Sequence, residues 1–266
     1  MNPSSGQIPD PGIISLLSFW SDAGVDISYD EAPRDRLQPP PVRAAPRLSA
    51  PAHAPADQVG DDVASAGLDA RHAAASAADL DALEAAIAAF DGCPLKTQGA
   101  GRAVFARGRP DAPVMIIGEG PGADEDRLGA PFVGRAGKLL DRMLTAAGLQ
   151  DQVFITNTVF WRPPGNRTPT AVEQAACRPF VERAIALVRP KLLVLAGGAS
   201  AKSMLNTSEG ILSLRGRWSD WRSEDGAITL AALPTLHPAF LLRQPLAKKK
   251  AWVDLMTLKV KLDSLS

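Results

Sequence analysis

The sequence predicts an α/β fold with a mostly parallel sheet covered by helices on both faces. Short apolar or β-branched runs recur at residues 103–106, 114–117, 153–156, 192–196 and 228–233, and such runs suit buried strands. Between them lie patterns of helical period: Ala136, Leu139, Leu140, Met143 and Ala147, then residues 172–188, then 199–205. Strands alternating with helices are joined by crossovers, so they lie parallel and carry helices on both faces. Such sheets hold ligands in the loops beyond the carboxyl ends of their strands.

Upstream of the sheet the chain changes character. Residues 12–24 place Ile13, Leu16, Leu17 and Trp20 three and four apart, one face of a short helix within an N-terminal arm of residues 1–28. That stripe calls for a partner, either the folded domain or another protein. Residues 29–75 are rich in Pro, Ala and Asp, with seven prolines between Pro33 and Pro55, and read as a disordered linker. His53 and His72 have no ligand-like neighbours there and read as solvated. An Ala-rich, Leu-bearing stretch at 76–90 suits a helix, and the folded domain is expected to run from 76 to 266.

The 29 basic and 29 acidic side chains cancel, but unevenly. Residues 1–90 hold 5 basic and 13 acidic groups, leaving 24 and 16 for residues 91–266. Zero net charge therefore does not exclude a nucleic-acid partner, because an acidic arm masks a basic domain. Two cysteines cannot build a disulfide framework or by themselves fill a four-ligand metal site, so a reducing, cytoplasmic setting is expected. No apolar run approaches the length of about 20 residues that spans a bilayer. No leader-like N-terminus is visible either, and a soluble monomer is expected.

Three loops after predicted strands carry candidate chemistry. The first, GEGPGADEDRLGAPFVGRAGKLL, runs over residues 118–140. Gly118, Gly120 and Gly122 allow close backbone approach, as in a dinucleotide loop. Yet Asp124, Glu125, Asp126, Pro131 and Phe132 intervene before a helix starts near Arg135, which argues against that motif. The second, NTVFWRPPGNRTPT, runs over 157–170. Asn157 at a strand end presents an amide oxygen and nitrogen together, the complement of a pyrimidine edge; its other reading is an Asn that closes a turn. The rigid RPPGNR segment holds Arg162, Asn166 and Arg167 with little loop entropy to lose. The third loop follows ALPTL and begins with His237 before Pro238, a residue type that starts helices. His237 is either structural or catalytic.

At these loops the sequence resembles the family 4 uracil-DNA glycosylases, the bacterial and archaeal iron–sulfur type. The matching segments are GEGPGADEDRLGAPFVGRAGKLLD, ITNTVFWRPPGNRTPT with ACRPF, and LHPAFLLR, in order, with looser matches at LRGRW and in the C-terminal helix. The resemblance implies a three-layer α/β/α sandwich around a central, mostly parallel four-stranded sheet. It also implies a DNA repair enzyme of the bacterial cytosol or nucleoid that flips uracil out of DNA and hydrolyses its N-glycosidic bond.

The resemblance also implies roles. Phe132 is similar to the platform on which the flipped base stacks, and Asn157 to the amide that reads uracil O4 and N3–H. His237 resembles the donor to uracil O2. Glu119 and Asn166 resemble groups that place water and favour a cationic sugar. Glu125 occupies the position expected near uracil C5, where it would exclude the methyl of thymine. The backbone at Gly118 and Gly120 is expected to contact the base. Leu241, Leu242 and Arg243 are suited to wedge into the stack, and Arg162, Arg167, Arg215 and Arg217 to meet DNA. Lys248 to Lys250 read equally as phosphate contacts or as a solvated helix start.

One feature departs from the family. Four cysteines hold a four-iron, four-sulfur cluster there, and here Cys93 and Cys177 match two of them while Phe90 and Trp161 stand at the others. Neither aromatic ligates iron, so the cluster is expected to be absent, with apolar packing in its place. Two other functions remain open on the sequence: a glycosylase for another deaminated or 5-substituted base, such as hypoxanthine, and a lesion-binding relative without turnover. The branch that links covalently to DNA places a histidine after its first motif, and no histidine lies between His72 and His237.

Overall fold

The computed structural model describes residues 67–265. The expected N-terminal helix and most of the expected linker lie outside the described residues. At the linker's end the structure corrects the boundary: residues 67–76 form a helix, α1, whose Ala70 and Ala74 are buried in the core. The helix expected over 76–90 begins only at α2, Leu80–Ala89. Asp79 sets that start, its carboxylate accepting from the Ala82 amide at 2.8 Å.

The elements that follow are β1 (Arg107–Gly108), β2 (Val114–Gly118), α3 (Ala123–Leu128), α4 (Arg135–Ala146), β3 (Val153–Asn157) and α5 (Ala171–Val188). Then come β4 (Leu192–Ala196), α6 (Gly198–Leu205), α7 (Ile211–Leu214), β5 (Ser219–Arg222), β6 (Thr229–Thr235), α8 (Pro238–Arg243) and α9 (Lys248–Asp263). One sheet runs in the order β1-β3-β2-β4-β6-β5. The four central strands are parallel, as expected, and the two edge strands are antiparallel.

The sheet is thus six-stranded, two strands more than the expected four. The run at 103–106 is not a strand; its Val104 amide donates to the carbonyl of Phe160, and only Arg107 and Gly108 pair with β3. The other addition, β5, escapes a search for apolar runs because only Trp221 of its four residues is buried.

β2, β3 and β4 are buried at every residue, which is why their sequences read as continuous apolar runs. Alternate side chains serve opposite layers. Met115, Ile117, Phe154, Leu193 and Leu195 join one core with α2, α5 and α6. Val114, Ile116, Ile155, Val194 and Leu233 join the other with α4 and α9. The result is the expected α/β/α sandwich. In the sheet β2 has β3 on one side and β4 on the other, so its carboxyl end is a topological switch point, where such sheets open a crevice.

Candidate active site

A cleft of about 510 Å³ opens at that crevice, beyond the carboxyl ends of β2, β3 and β6. All three loops reach it. Glu119, Gly120, Glu125 and Phe132 come from the first, Asn157, Asn166 and Arg167 from the second, and His237 and Arg243 from the third. Gly118 and Asn157 are paired residues at the ends of β2 and β3. A Cβ on Gly118 would lie 2.4 Å from Asn157 Oδ1 and 2.6 Å from the Phe132 ring, so only a glycine leaves room for both there.

Asn157 is 1% exposed, and its Nδ2 has no hydrogen-bond partner among the described residues. A buried, unpaired amide donor costs about 1–3 kcal/mol, and such groups call for a specific explanation.

His237 caps α8: its Nδ1 accepts from the Ala239 amide at 3.1 Å. In the neutral imidazole the proton must then sit on Nε2. Burial pushes the imidazole down to about 4, helped by the Arg243 guanidinium and opposed by the Glu125 carboxylate, so His237 is neutral at physiological pH. Its ring stacks on that of Phe132, centroids 5.5 Å and planes 30° apart. The β4 loop gives it room, because Gly197 has φ +99° and a Cβ there would lie 3.0 Å from the Cβ of His237. Sequence reading alone did not single out Gly197.

The second loop is held from within. Asn166 sits at φ 56°, and its Oδ1 accepts from Arg162 Nε at 2.7 Å. Arg167 forms two bonds to Glu173, at 2.6 and 2.8 Å, and that carboxylate also accepts from the Thr170 amide. The Arg167 guanidinium holds the 3%-exposed Glu173 carboxyl below its usual range. The T-x-x-E pattern at Thr170, a capping box, marks this anchor in the sequence.

A match to the family described as the uracil DNA glycosylase superfamily covers residues 105–258. The chain belongs to that superfamily, in its type-4 branch. It is 42% identical to the type-4 uracil-DNA glycosylase of Sulfurisphaera tokodaii, over 55% of this chain and 69% of the relative. Against that of Thermotoga maritima the identity is 39%, over 57% and 77%. Against that of Pyrobaculum aerophilum it is 37%, over 66% and 91%.

Several residues expected to meet DNA in a type-4 enzyme are placed otherwise. Arg215 is turned inward onto Asp254, a residue only 1% exposed, which also accepts from Thr235 Oγ1 at 2.7 Å. The guanidinium of Arg215 is needed there to neutralise a buried carboxylate. Leu241 is fully buried with Leu236 and Ala251 and cannot act as a wedge; Leu242 is exposed. Arg162 and Arg167 are engaged with Asn166 and Glu173, so they shape the loop. Arg217 is exposed with a loose 3.4 Å contact to Glu209, and Arg243 and Lys248 to Lys250 are exposed.

The cluster positions of the type-4 resemblance lie within one buried core. Cys93 and Cys177 are both fully buried with sulfurs 3.8 Å apart, Cys177 donating to Cys93. That bond pulls the Cys93 thiol down, while burial pushes the Cys177 thiol up. Phe90 packs edge-on against Phe180 at 5.1 Å, and Trp161 edge-on against Phe160 at 6.3 Å. Two thiols and two aromatic rings do not fit a four-thiolate cluster.

Proposed function

We propose that this chain is a uracil-DNA glycosylase that takes uracil out of the DNA stack and hydrolyses its N-glycosidic bond, leaving an abasic site. The observation that carries the reading is the buried, unpaired amide nitrogen of Asn157 in a cleft whose one imidazole is neutral. Uracil O4 satisfies that nitrogen, and the Asn157 oxygen accepts from N3–H. Cytosine presents the reverse pattern and leaves both groups unpaired, a strong basis for rejection.

Breaking the bond sends its electron pair into the base and leaves a cationic sugar. His237 Nε2–H faces the growing charge on O2 and stabilises it without giving up its proton, as a preorganised donor in a water-poor site does. Phe132 supplies the stacking face. Glu119 lies at the carboxyl end of β2, where its carboxylate favours the cationic sugar and directs water to C1′, and Asn166, held by Arg162, is the second water-directing group. Leu242 is the wedge, and Arg217, Arg243 and the lysines at the start of α9 meet phosphate. The protein does this without an iron–sulfur cluster, the two thiols and two aromatic rings forming apolar core. A monomer acting on DNA in the cytoplasm goes with this reading, with the N-terminal arm serving either the folded domain or a protein partner. Among the described residues no helix is long and apolar enough to cross a membrane.

The test is a single-stranded oligonucleotide bearing one uracil, incubated with the protein and then cleaved at abasic sites with alkali. The wild type turns over repeatedly, and Asn157→Ala loses about 100-fold or more, as expected for an oriented donor. A shifted or crosslinked band without cleavage would establish the binder instead.

A further inference from the structure

Phe132 stands at φ 55°, a left-handed backbone conformation that is costly for a bulky side chain and persists only when its surroundings impose it. The surroundings are two charged side chains. The Glu125 carboxylate, expected near uracil C5, accepts from three backbone amides: Val133 and Gly134 at 2.9 Å each and Gly122 at 3.1 Å. From the other side, Arg107 on the edge strand β1 donates to the carbonyls of Pro131 at 2.8 Å and Phe132 at 3.2 Å. Arg107 is itself anchored on Asp141 of α4 at 2.6 Å. Arg107 thus grips the peptide group before Phe132, and both opposite charges grip the peptide group after it, while α4 begins at the amides that Glu125 holds.

We infer that Glu125 and Arg107 are positioning residues, a clamp that holds Phe132 in its strained conformation and so fixes the platform on which the extruded base stacks. Arg107 does not line the cleft, and nothing in its sequence context marks it. Glu125 does line it, but three amides occupy its carboxylate, and that requirement for an acceptor oxygen at Val133 and Gly134 is distinct from a steric role toward thymine. With the clamp loosened, Phe132 relaxes toward an ordinary backbone conformation, its ring leaves the stacking layer, and a flipped base loses its support. Displacements of about 1 Å in such sites cost roughly 100-fold in rate. This inference rests on the uracil-excising reading of the cleft.

The test compares Glu125→Ala, Glu125→Gln and Arg107→Met in single-turnover excision of uracil and of thymine, with KM and kcat resolved. Expected are a roughly 10- to 100-fold fall in rate for Glu125→Ala and Arg107→Met, with affinity for abasic product DNA unchanged and no thymine excision gained. Glu125→Gln keeps one oxygen for Val133 and Gly134 and recovers most of the rate. Full uracil activity in Glu125→Ala, with or without new thymine excision, overturns the clamp, as does an unaffected Arg107→Met should the alanine variant fail to fold. Hydrogen exchange at the Val133 and Gly134 amides reads the clamp without catalysis. It accelerates in Glu125→Ala if the inference holds, even if the wild type proves inactive on uracil, and an unchanged exchange rate overturns it.

Discussion

The imidazole of His237 lies offset-stacked on the ring of Phe132, centroids 5.5 Å apart and planes within 30° of parallel. Both rings line the cleft. In the proposed reading a base stacks on Phe132 and the imidazole meets it at its edge, where uracil carries its carbonyl oxygens. In that reading one contact sets both the height of the base and the direction from which the donor approaches.

A neutral donor gives a specific pH dependence. The single-turnover rate stays level from about pH 8 to about pH 5 and falls only as His237 protonates near 4; a fall centred near pH 6.5 would show an imidazole of ordinary basicity. Stability follows the same group. Its folded value, about 4, lies below the ordinary 6.5, so the unfolded chain takes up the proton first. The stabilisation is complete above pH 6.5 and is lost as pH falls toward 4, by up to about 3 kcal/mol. Denaturant midpoints of the wild type and His237→Asn across that range measure it, the variant being flatter. At neutral pH His237→Ala slows excision about 100-fold or more with DNA affinity little changed.

Adjacent leucines separate packing from DNA contact. Leu241→Ala opens a cavity in the small core with Leu236 and Ala251 and costs about 2–5 kcal/mol. Leu242→Ala leaves the melting temperature unchanged but slows excision from duplex more than from single-stranded DNA, because only the duplex needs a wedge. Equal effects on both substrates would remove Leu242 from that role.

Two arginines expected to meet phosphate are separable in the same way. Arg215→Ala strands the buried Asp254 carboxylate and destabilises the fold by about 3–5 kcal/mol while the salt dependence of DNA binding stays constant. Arg217→Ala keeps the melting temperature and lowers the slope of log affinity against log salt by about one.

The cluster site has a direct assay. Protein purified without oxygen is colourless and carries no stoichiometric iron, and Cys93→Ala retains uracil excision. A brown protein with about four irons per chain would overturn the aromatic-core reading.

The central strands were legible because β2, β3 and β4 lie between two helical layers, so nearly every residue is apolar or β-branched and local composition reveals them. β1 and β5 were not, since an edge strand is defined by its neighbour's hydrogen bonds. The meeting of Glu119, Phe132, Asn157, Asn166 and His237 at one cleft was legible in outline, because each lies at a strand end or in the loop after it, and those ends face the same way.

The sequence by itself determined the parallel α/β layering, the loops that line the cleft, and a total of two cysteines. Tertiary structure alone decided which charges are spent inside: Arg215 on Asp254, Arg167 on Glu173, Glu125 on three amides and Arg107 on the carbonyls beside Phe132. The reason is physical. Burial of a strand is written in its own residues, whereas a charged side chain reaches solvent or a buried partner according to what the fold places within about 3 Å of it.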